Sequence, residues 1–124
     1  MKRIIIVEND FIIALALKKA IQRLGHEVTA TLDNGKAAIA KVKQGQADLI
    51  LMETRLFGEM DGIEAMNQIR RFSGVPVIYM TGQPLESIKK RAQQTRPAGY
   101  LSKPLNTKDL EELVRKTFGE NYSG

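Results

Sequence analysis

The chain has 124 residues, a length typical of one domain, and a chain of this size buries roughly two-thirds of its unfolded surface. It contains no cysteine and a single histidine, His26, so disulfide scaffolds, thiolate zinc sites, cysteine nucleophiles and multi-histidine metal sites are excluded. Nineteen Lys and Arg residues outnumber 14 Asp and Glu residues, which gives a formal net charge of +5. This charge permits an anionic partner but does not require one.

The sequence lacks the patterns of membrane insertion and secretion. At the N-terminus, MKRIIIVEND, a run of only four apolar residues precedes the first acid. A secretory signal needs an apolar stretch of ~7–15 residues, and a membrane span needs ~18. We therefore expect a cytoplasmic protein that does not bind a membrane.

Short β-branched segments alternate with helical patterns along the chain. Strands are predicted at Ile4–Val7, Val28–Leu32, Leu49–Met52, Val75–Tyr79 and Gly99–Leu101. The first, third and fourth are continuously apolar, which is typical of strands covered on both faces.

A helical pattern follows each predicted strand. Helices are predicted from about Ile13 to Leu24 with Gly25 as the C-terminal cap, from the N-cap Asn34 to Gly45, over about 62–71, over about 85–94, and from Asn106 or Thr107 to Gly119. Five strands alternating with five helices predict a doubly wound α/β domain, with a parallel sheet between two helical layers. One domain is expected over residues 1–120, followed by a tail at 121–124.

In a doubly wound sheet, the working site lies beyond the carboxyl ends of the strands. The residues expected there are Glu8-Asn9-Asp10, Asp33-Asn34, Glu53-Thr54-Arg55, Met80-Thr81-Gly82 and Ser102-Lys103-Pro104. Acids, a hydroxyl and a lysine at one sheet edge are typical of a site for a divalent cation and a phosphoryl group.

Four segments, IIIVEND, DLILMETRLFGEMDGIEAMNQIR, PVIYMTG and GYLSKPL, resemble the receiver domain of two-component response regulators. The resemblance extends over essentially the whole chain. It implies a flavodoxin-like (βα)5 three-layer sandwich with strand order 2-1-3-4-5. It also implies Mg²⁺-dependent phosphoryl transfer from a histidine kinase to an aspartate after the third strand.

The resemblance also implies a role for each matching residue. Thr81 and Lys103 match the residues that contact the phosphoryl oxygens. Tyr100 matches the aromatic residue that changes rotamer when the domain switches, together with Thr81. The Lys103-Pro104 peptide resembles the family's cis bond.

The metal positions of the family fall on Glu8, Asn9, Glu53 and the backbone carbonyl of Arg55. Two of these residues depart from the family pattern, because Glu53 stands where the acceptor Asp is expected and Asn9 stands where a second acid is expected. The extra methylene of Glu53 displaces its carboxylate, and a misplacement of about 1 Å can cost about 10²-fold in rate. Asn9 removes a negative charge from the metal site. We expect weakened Mg²⁺ binding and little or no phosphorylation.

The predicted function is that of a regulatory module that acts by binding a partner and is not an enzyme. Glu53 either imitates a phosphorylated aspartate or belongs to an inert site. The alternative is a working Mg²⁺-dependent receiver, phosphorylated on Glu53 by a histidine kinase. Nucleotide binding is disfavoured because no GxGxxG or P-loop motif is present. Nucleic-acid binding is disfavoured because helix-turn-helix signatures and stacking aromatics are lacking.

The expected partners are a sensor histidine kinase and an output domain or protein. A homodimer is also considered, through the face formed by helix four, strand five and helix five. The basic run Lys89–Arg91 lies on that face and is interpreted as tuning an interface there.

Overall fold

A computed structural model describes residues 1–120, so the predicted tail at 121–124 lies outside the described residues. The strands are β1 (Arg3–Val7), β2 (Glu27–Leu32), β3 (Leu49–Glu53), β4 (Val77–Thr81) and β5 (Gly99–Ser102). They form one parallel sheet in the order β2-β1-β3-β4-β5. The strand order implied by the resemblance is confirmed.

The helices alternate with the strands, as predicted. They are α1 (Phe11–Arg23), α2 (Gly35–Lys43), α3 (Gly62–Ile69), α4 (Leu85–Gln93) and α5 (Thr107–Thr117). None of these helices, nor any other helix within residues 1–120, is long and apolar enough to cross a membrane.

Alternating side chains of the strands build two separate cores. Ile4 and Ile6 of β1 face α1 and α5, whereas Ile5 and Val7 face α2, α3 and α4. This alternation follows from the two-residue period of a strand. Met52 and Met66 are both fully buried on the second side.

Polar side-chain caps fix where α1, α2, α3 and α5 begin at the carboxyl edge of the sheet. Asp10 accepts hydrogen bonds from the backbone of Ile12 and Ile13, and Asn34 accepts one from Ala37, as its predicted N-cap role requires. Asp61 caps α3 in a reciprocal capping box with Glu64. The caps therefore set the length of the loops that carry the site.

The fourth strand differs from the prediction of Val75–Tyr79. The backbone N–H of Val75 donates to Ser73 Oγ, and its carbonyl accepts from Arg70. Pro76 has no N–H to donate. Because these groups are used elsewhere or absent, β4 begins at Val77, and its pairing with β5 extends it to Thr81.

The other bounds differ from the prediction by one or two residues, as at α3, which ends at Ile69 rather than near 71. The glycines predicted to end α1, α2 and α5 all have positive φ, at 87° for Gly25, 73° for Gly45 and 68° for Gly119.

Candidate functional site

The predicted site residues meet at the carboxyl edge of the sheet. Glu8 directly follows β1 and Lys103 directly follows β5. Glu53 and Thr81 were expected just after their strands, but they are the last residues of β3 and β4, where they pair with Met80 and Ser102. Because the strands are parallel, these four side chains lie at the same edge of the sheet.

The Lys103 ammonium lies between two buried carboxylates. Its Nζ is 2.6 Å from Glu8 Oε1 and also contacts Glu53 Oε2. The Glu8 side chain is fully buried and that of Glu53 is 5% exposed, whereas that of Lys103 is 19% exposed. Two negative charges therefore share one positive charge in a site with little access to water, which makes each pairing strong and its loss costly.

The pKa shifts follow from this arrangement. Burial raises the pKa of the Glu8 carboxyl, and the nearby Glu53 charge adds to the rise, although Lys103 and the Asp10 N–H oppose it. Burial acts to lower the pKa of the Lys103 ammonium, but its hydrogen bonds with Glu53 and Glu8 outweigh burial and raise that pKa. Lys103 is therefore charged throughout the physiological range.

Asn9 occupies the second acidic position of the family. With its amide oriented to satisfy its surroundings, the side-chain NH₂ donates to the Arg55 carbonyl at 3.1 Å and to Glu8 Oε2 at 3.2 Å. The Arg55 carbonyl is the one that the resemblance assigns to the metal. The Asn9 amide thus donates to the carbonyl oxygen that a bound cation would need as a ligand.

In this arrangement the donor set does not fit a Mg²⁺ ion. Mg²⁺ requires an octahedral set of oxygen ligands and favours carboxylates. Both carboxylates of the site already pair with Lys103, and the Arg55 carbonyl already accepts from Asn9. Within residues 1–120, no group of three or more His, Cys, Asp or Glu side chains is arranged to hold a metal ion.

Thr54 is a site residue whose role the sequence analysis missed. Its buried hydroxyl lies 3.2 Å from Thr81 Oγ1, 3.4 Å from Glu53 Oε1 and 3.3 Å from Gln83 Oε1. Thr81 in turn accepts a hydrogen bond from the Gln83 backbone N–H at 3.0 Å. Glu53 is therefore connected to Thr81 and to the loop before α4 through one hydroxyl. The sequence did contain a signal for this role, because Thr54 carries a hydroxyl directly after Glu53, the residue at the acceptor position.

Asp10 follows Glu8 and Asn9 but contributes no charge to the Lys103 pair. One of its oxygens caps α1, and its backbone N–H donates to Glu8 Oε2 at 2.9 Å. Asp10 thus positions Glu8 through its backbone N–H. Among the described residues, only Glu8 and Glu53 pair with Lys103.

Tyr100 packs on the α4 side of the sheet, close to the site. Its ring stacks on that of Tyr79 with the centroids 6.1 Å apart. Burial raises the pKa of its hydroxyl, which has no hydrogen-bond partner within residues 1–120. A buried hydroxyl without a partner costs about 1–3 kcal/mol.

The backbone between the site and α3 is closely packed. Gly62, the first residue of α3, donates its N–H to the Thr54 carbonyl at 2.9 Å. A Cβ atom at position 62 would lie 2.1 Å from the Glu53 carbonyl oxygen. The glycine is therefore required for α3 to begin this close to β3. The Lys103-Pro104 peptide is cis, as the resemblance implied.

The profile of the family described as response regulator receiver domain matches residues 4–115. The chain belongs to this family. The receiver domain is also 30% identical to the response regulator receiver protein CpdR of Brucella abortus, over 94% of this chain and 96% of that protein. It is 26% identical to the transcriptional regulatory protein CrdR of Helicobacter pylori, over 97% of this chain and 56% of that protein.

The fold is shared with solved receiver structures. The receiver domain of the sensor histidine kinase PA1611 from Pseudomonas aeruginosa superposes with a TM-score of 0.85 at 26% identity, covering 96% of this chain and 98% of that one. That structure has a magnesium ion coordinated in its active-site cleft. This chain spans only 13–56% of the length of several curated relatives, which are longer proteins.

Proposed function

We propose that this receiver domain is a non-enzymatic regulatory module of two-component signalling whose site is held by an internal ion pair. The observation that carries the proposal is the Lys103 ammonium, which contacts both Glu8 and Glu53. In this proposal the domain binds its partner without depending on Mg²⁺ or on a phosphoryl group.

Weak Mg²⁺ binding follows from competition within the site. An entering ion has to separate Lys103 from two buried carboxylates and turn Asn9 away from the Arg55 carbonyl. Separating this pair leaves the Lys103 ammonium without its carboxylate partners, and Asn9 offers the ion only a neutral oxygen. We therefore expect an Mg²⁺ affinity well below that of a receiver with two acids after its first strand.

Phosphorylation is impaired by the same contacts. One oxygen of Glu53 contacts Lys103, and the other accepts from the Arg55 N–H at 3.3 Å and faces the Thr54 hydroxyl. A carboxylate that attacks a phosphorus atom must first give up these partners. The side chain of Glu53 is one methylene longer than that of Asp, which also shifts the reaction centre relative to Thr81 and Lys103.

Of the two interpretations of Glu53, the contacts favour imitation of a phosphorylated aspartate. The carboxylate reaches Lys103 directly and Thr81 through the Thr54 hydroxyl, and these are the two residues assigned to the phosphoryl oxygens. One carboxylate carries less charge than a phosphoryl group, so the imitation is partial.

The proposed partners are a sensor histidine kinase or an output domain in the cytoplasm. Arg91 on α4 pairs with Asp61 at 2.9 Å, and all three basic residues of the predicted docking run, Lys89–Arg91, are exposed. The homodimer through α4, β5 and α5 stays a proposal on the same grounds. Nucleic acid is not expected as a partner.

The proposal is tested by uptake of phosphate from a small phosphodonor with Mg²⁺, comparing the wild type with E53D, N9D and the double variant N9D/E53D. We expect no uptake by the wild type and measurable uptake by the double variant, because it restores both acids. E53Q in the N9D background is the matched control, since it keeps the shape of Glu53 and removes the nucleophile.

Amide NMR during titration with Mg²⁺ and beryllofluoride provides an independent readout. Saturable shifts at Thr81, Lys103 and Tyr100 in the wild type would overturn the proposal. Together with hydroxylamine-labile phosphate that is lost in E53Q, they would establish the alternative of a working receiver phosphorylated on Glu53.

A further inference from the structure

One buried hydroxyl lies between the Lys103 ion pair and the loop before α4. Thr54 is 2% exposed. Its Oγ1 lies 3.2 Å from Thr81 Oγ1, 3.3 Å from Gln83 Oε1 and 3.4 Å from Glu53 Oε1. A hydroxyl carries one proton, so Thr54 donates to only one of these three oxygens at a time. The three oxygens therefore compete for one donor.

All three distances exceed the usual length of a hydroxyl hydrogen bond. Such bonds are about 2.5–3.0 Å long between the two oxygens, whereas Thr54 Oγ1 lies 3.2–3.4 Å from each candidate acceptor. None of the three oxygens holds the Thr54 proton in a short bond. A small displacement therefore decides which oxygen receives it.

The competing oxygens differ in charge. Glu53 is a carboxylate that contacts Lys103, and Lys103 is shared with Glu8, so the charge of Glu53 is only partly neutralised. The oxygens of Thr81 and Gln83 are neutral. A hydrogen bond to a charged acceptor is about twice as strong as one to a neutral acceptor. Glu53 therefore competes for the Thr54 proton in proportion to the charge that Lys103 leaves on it.

The hydroxyl of Thr81 makes the complementary choice. Its oxygen accepts from the Gln83 N–H at 3.0 Å, and its proton reaches either Thr54 Oγ1 or the Gln83 carbonyl, the latter at 3.4 Å. If Thr54 donates to Glu53, Thr81 is free to donate to Thr54. The Gln83 carbonyl then loses its hydroxyl donor. Within residues 1–120 no hydrogen bond joins Thr81 to Glu53 directly, so the choice is passed on through Thr54.

The helix that follows this loop is weakly held at its start. Leu85, the first residue of α4, comes two residues after Gln83, and the N-cap Pro84 makes no side-chain hydrogen bond. The helix buries only Ile88 and Ala92. A helix with few buried side chains and an uncapped start opens at a low free energy. Loss of hydrogen bonds at Gln83 is therefore expected to appear as more frequent opening of α4.

We propose that Thr54 is a positioning residue through which Glu53 controls how firmly the loop before α4 is held. When Lys103 neutralises Glu53, the protons of Thr54 and Thr81 stay with Gln83 and hold the loop. When more charge remains on Glu53, both protons turn towards the carboxylate and the loop loosens. The inference rests on the proposed function, because the α4 face then reports the state of the internal ion pair rather than a phosphoryl group.

A double-mutant cycle followed by native-state hydrogen exchange tests this link. Opening of the α4 amides is measured by NMR in the wild type, Glu53→Gln, Thr54→Val and the variant with both changes, without Mg²⁺ or phosphodonor. Glu53→Gln is expected to slow α4 exchange about threefold to tenfold, because its neutral side chain leaves the Thr54 proton to the loop. In the Thr54→Val background the same change is expected to have no effect.

Two further variants distinguish a hydroxyl link from a loss of packing. Thr54→Ser keeps the hydroxyl and is expected to retain the response of α4 to Glu53→Gln. Thr95→Val is the matched control, because it also removes a fully buried hydroxyl, one that bonds to the Ala92 carbonyl at 2.6 Å and to the Tyr79 hydroxyl at 2.7 Å. Thr95 follows the opposite end of α4, so its effect on exchange is expected to add to that of Glu53→Gln.

An equal response to Glu53→Gln with and without the Thr54 hydroxyl would overturn the proposal, as would loss of the response in Thr54→Ser. Thr54→Ala is a second variant that lacks the hydroxyl, and its use does not depend on the fit of a valine in the buried site. Phosphate uptake is measured separately. Uptake by the wild type overturns the proposed function, whereas an additive cycle in a protein that takes up no phosphate overturns only the role of Thr54.

Discussion

Glu8 shows most directly how burial and charge compete at the level of a single residue. Its carboxyl is buried, accepts from the Asp10 N–H and pairs with Lys103, yet burial raises its pKa above 4.5. The hydrogen bond with Lys103 therefore stabilises the ionised Glu8 carboxyl by less free energy than its burial costs. The Lys103 ammonium does not lose its proton at acidic or neutral pH, because its pKa is raised from 10.5.

The raised pKa predicts a particular pH dependence for Glu8→Gln. The folded wild type holds the Glu8 proton more tightly than the unfolded chain does, so the contribution of Glu8 to the free energy of unfolding falls as pH rises from about 4.5 through the folded pKa. The glutamine side chain of the variant does not titrate. The stability of the variant relative to the wild type should therefore increase over this range, by at most about 1.4 kcal/mol per pH unit. Urea denaturation from about pH 4 to about pH 8 measures it.

Asp48→Asn serves as the control of opposite sign. The Arg3 N–H lowers the pKa of the Asp48 carboxyl, so the stability that Asp48 contributes is present above 3.8 and is lost as pH falls. A Glu8→Gln difference that is constant or shrinks as pH rises would contradict the raised pKa of Glu8.

The residues of the site were predictable to different degrees. Glu8, Glu53 and Lys103 follow from their position at strand ends, because the ends of parallel strands share one edge. The contacts of Thr54 were not predictable, since they depend on the direction of its hydroxyl and on the loop that carries Gln83. The placement of Asn9 against the Arg55 carbonyl likewise depends on the loop after β3.

At the level of elements, the site depends on how closely α3 approaches β3. Asp61 and Glu64 form the capping box that starts the helix, and Arg91 on α4 pairs with the free oxygen of Asp61. Gly62 then lies against the last residue of the strand. The position of Glu53 is thus set by backbone packing as well as by its ion pair.

Gly62→Ala is therefore expected to destabilise the domain by about 3 kcal/mol and to shift the amide resonances of Thr54 and Arg55. The added Cβ lies 2.1 Å from the Glu53 carbonyl oxygen and 2.9 Å from Met52 Cγ, so the strand end has to move. Urea denaturation and amide NMR measure the two effects.

Gly74→Ala is the matched control for this close approach. No heavy atom lies within 4 Å of a Cβ at position 74, so its stability is expected within about 0.5 kcal/mol of the wild type. If Gly62→Ala were as well tolerated as Gly74→Ala, the close packing of α3 on β3 would be wrong.

For the whole molecule, the central strands form the most protected part of the domain. The residues of β3 and β4 are all buried, whereas β2 lies at the sheet edge and is only partly buried. Among the helices, α4 buries only Ile88 and Ala92 and has no side-chain N-cap. Local stability against unfolding is therefore expected to decrease from the central strands of the sheet to α4.

Native-state hydrogen exchange should reproduce this gradient. We expect the amides of β1, β3 and β4 to exchange through global unfolding, and those of α4 to exchange through a local opening of lower free energy. Amide exchange followed by NMR measures both classes. Protection of α4 equal to that of β3 would contradict the gradient.

The sequence by itself determined the order of the elements, the parallel sheet, the two-sided burial of β1, β3 and β4, and the helix-ending glycines. These features rest on periodicity and on backbone preferences, which act locally along the chain. Only the tertiary structure decided that Lys103 pairs with both Glu8 and Glu53 and that β4 begins after Pro76. It also decided which side of α1 stays exposed. Such features depend on side-chain direction and on which backbone groups are already bonded, and segments distant in sequence determine both.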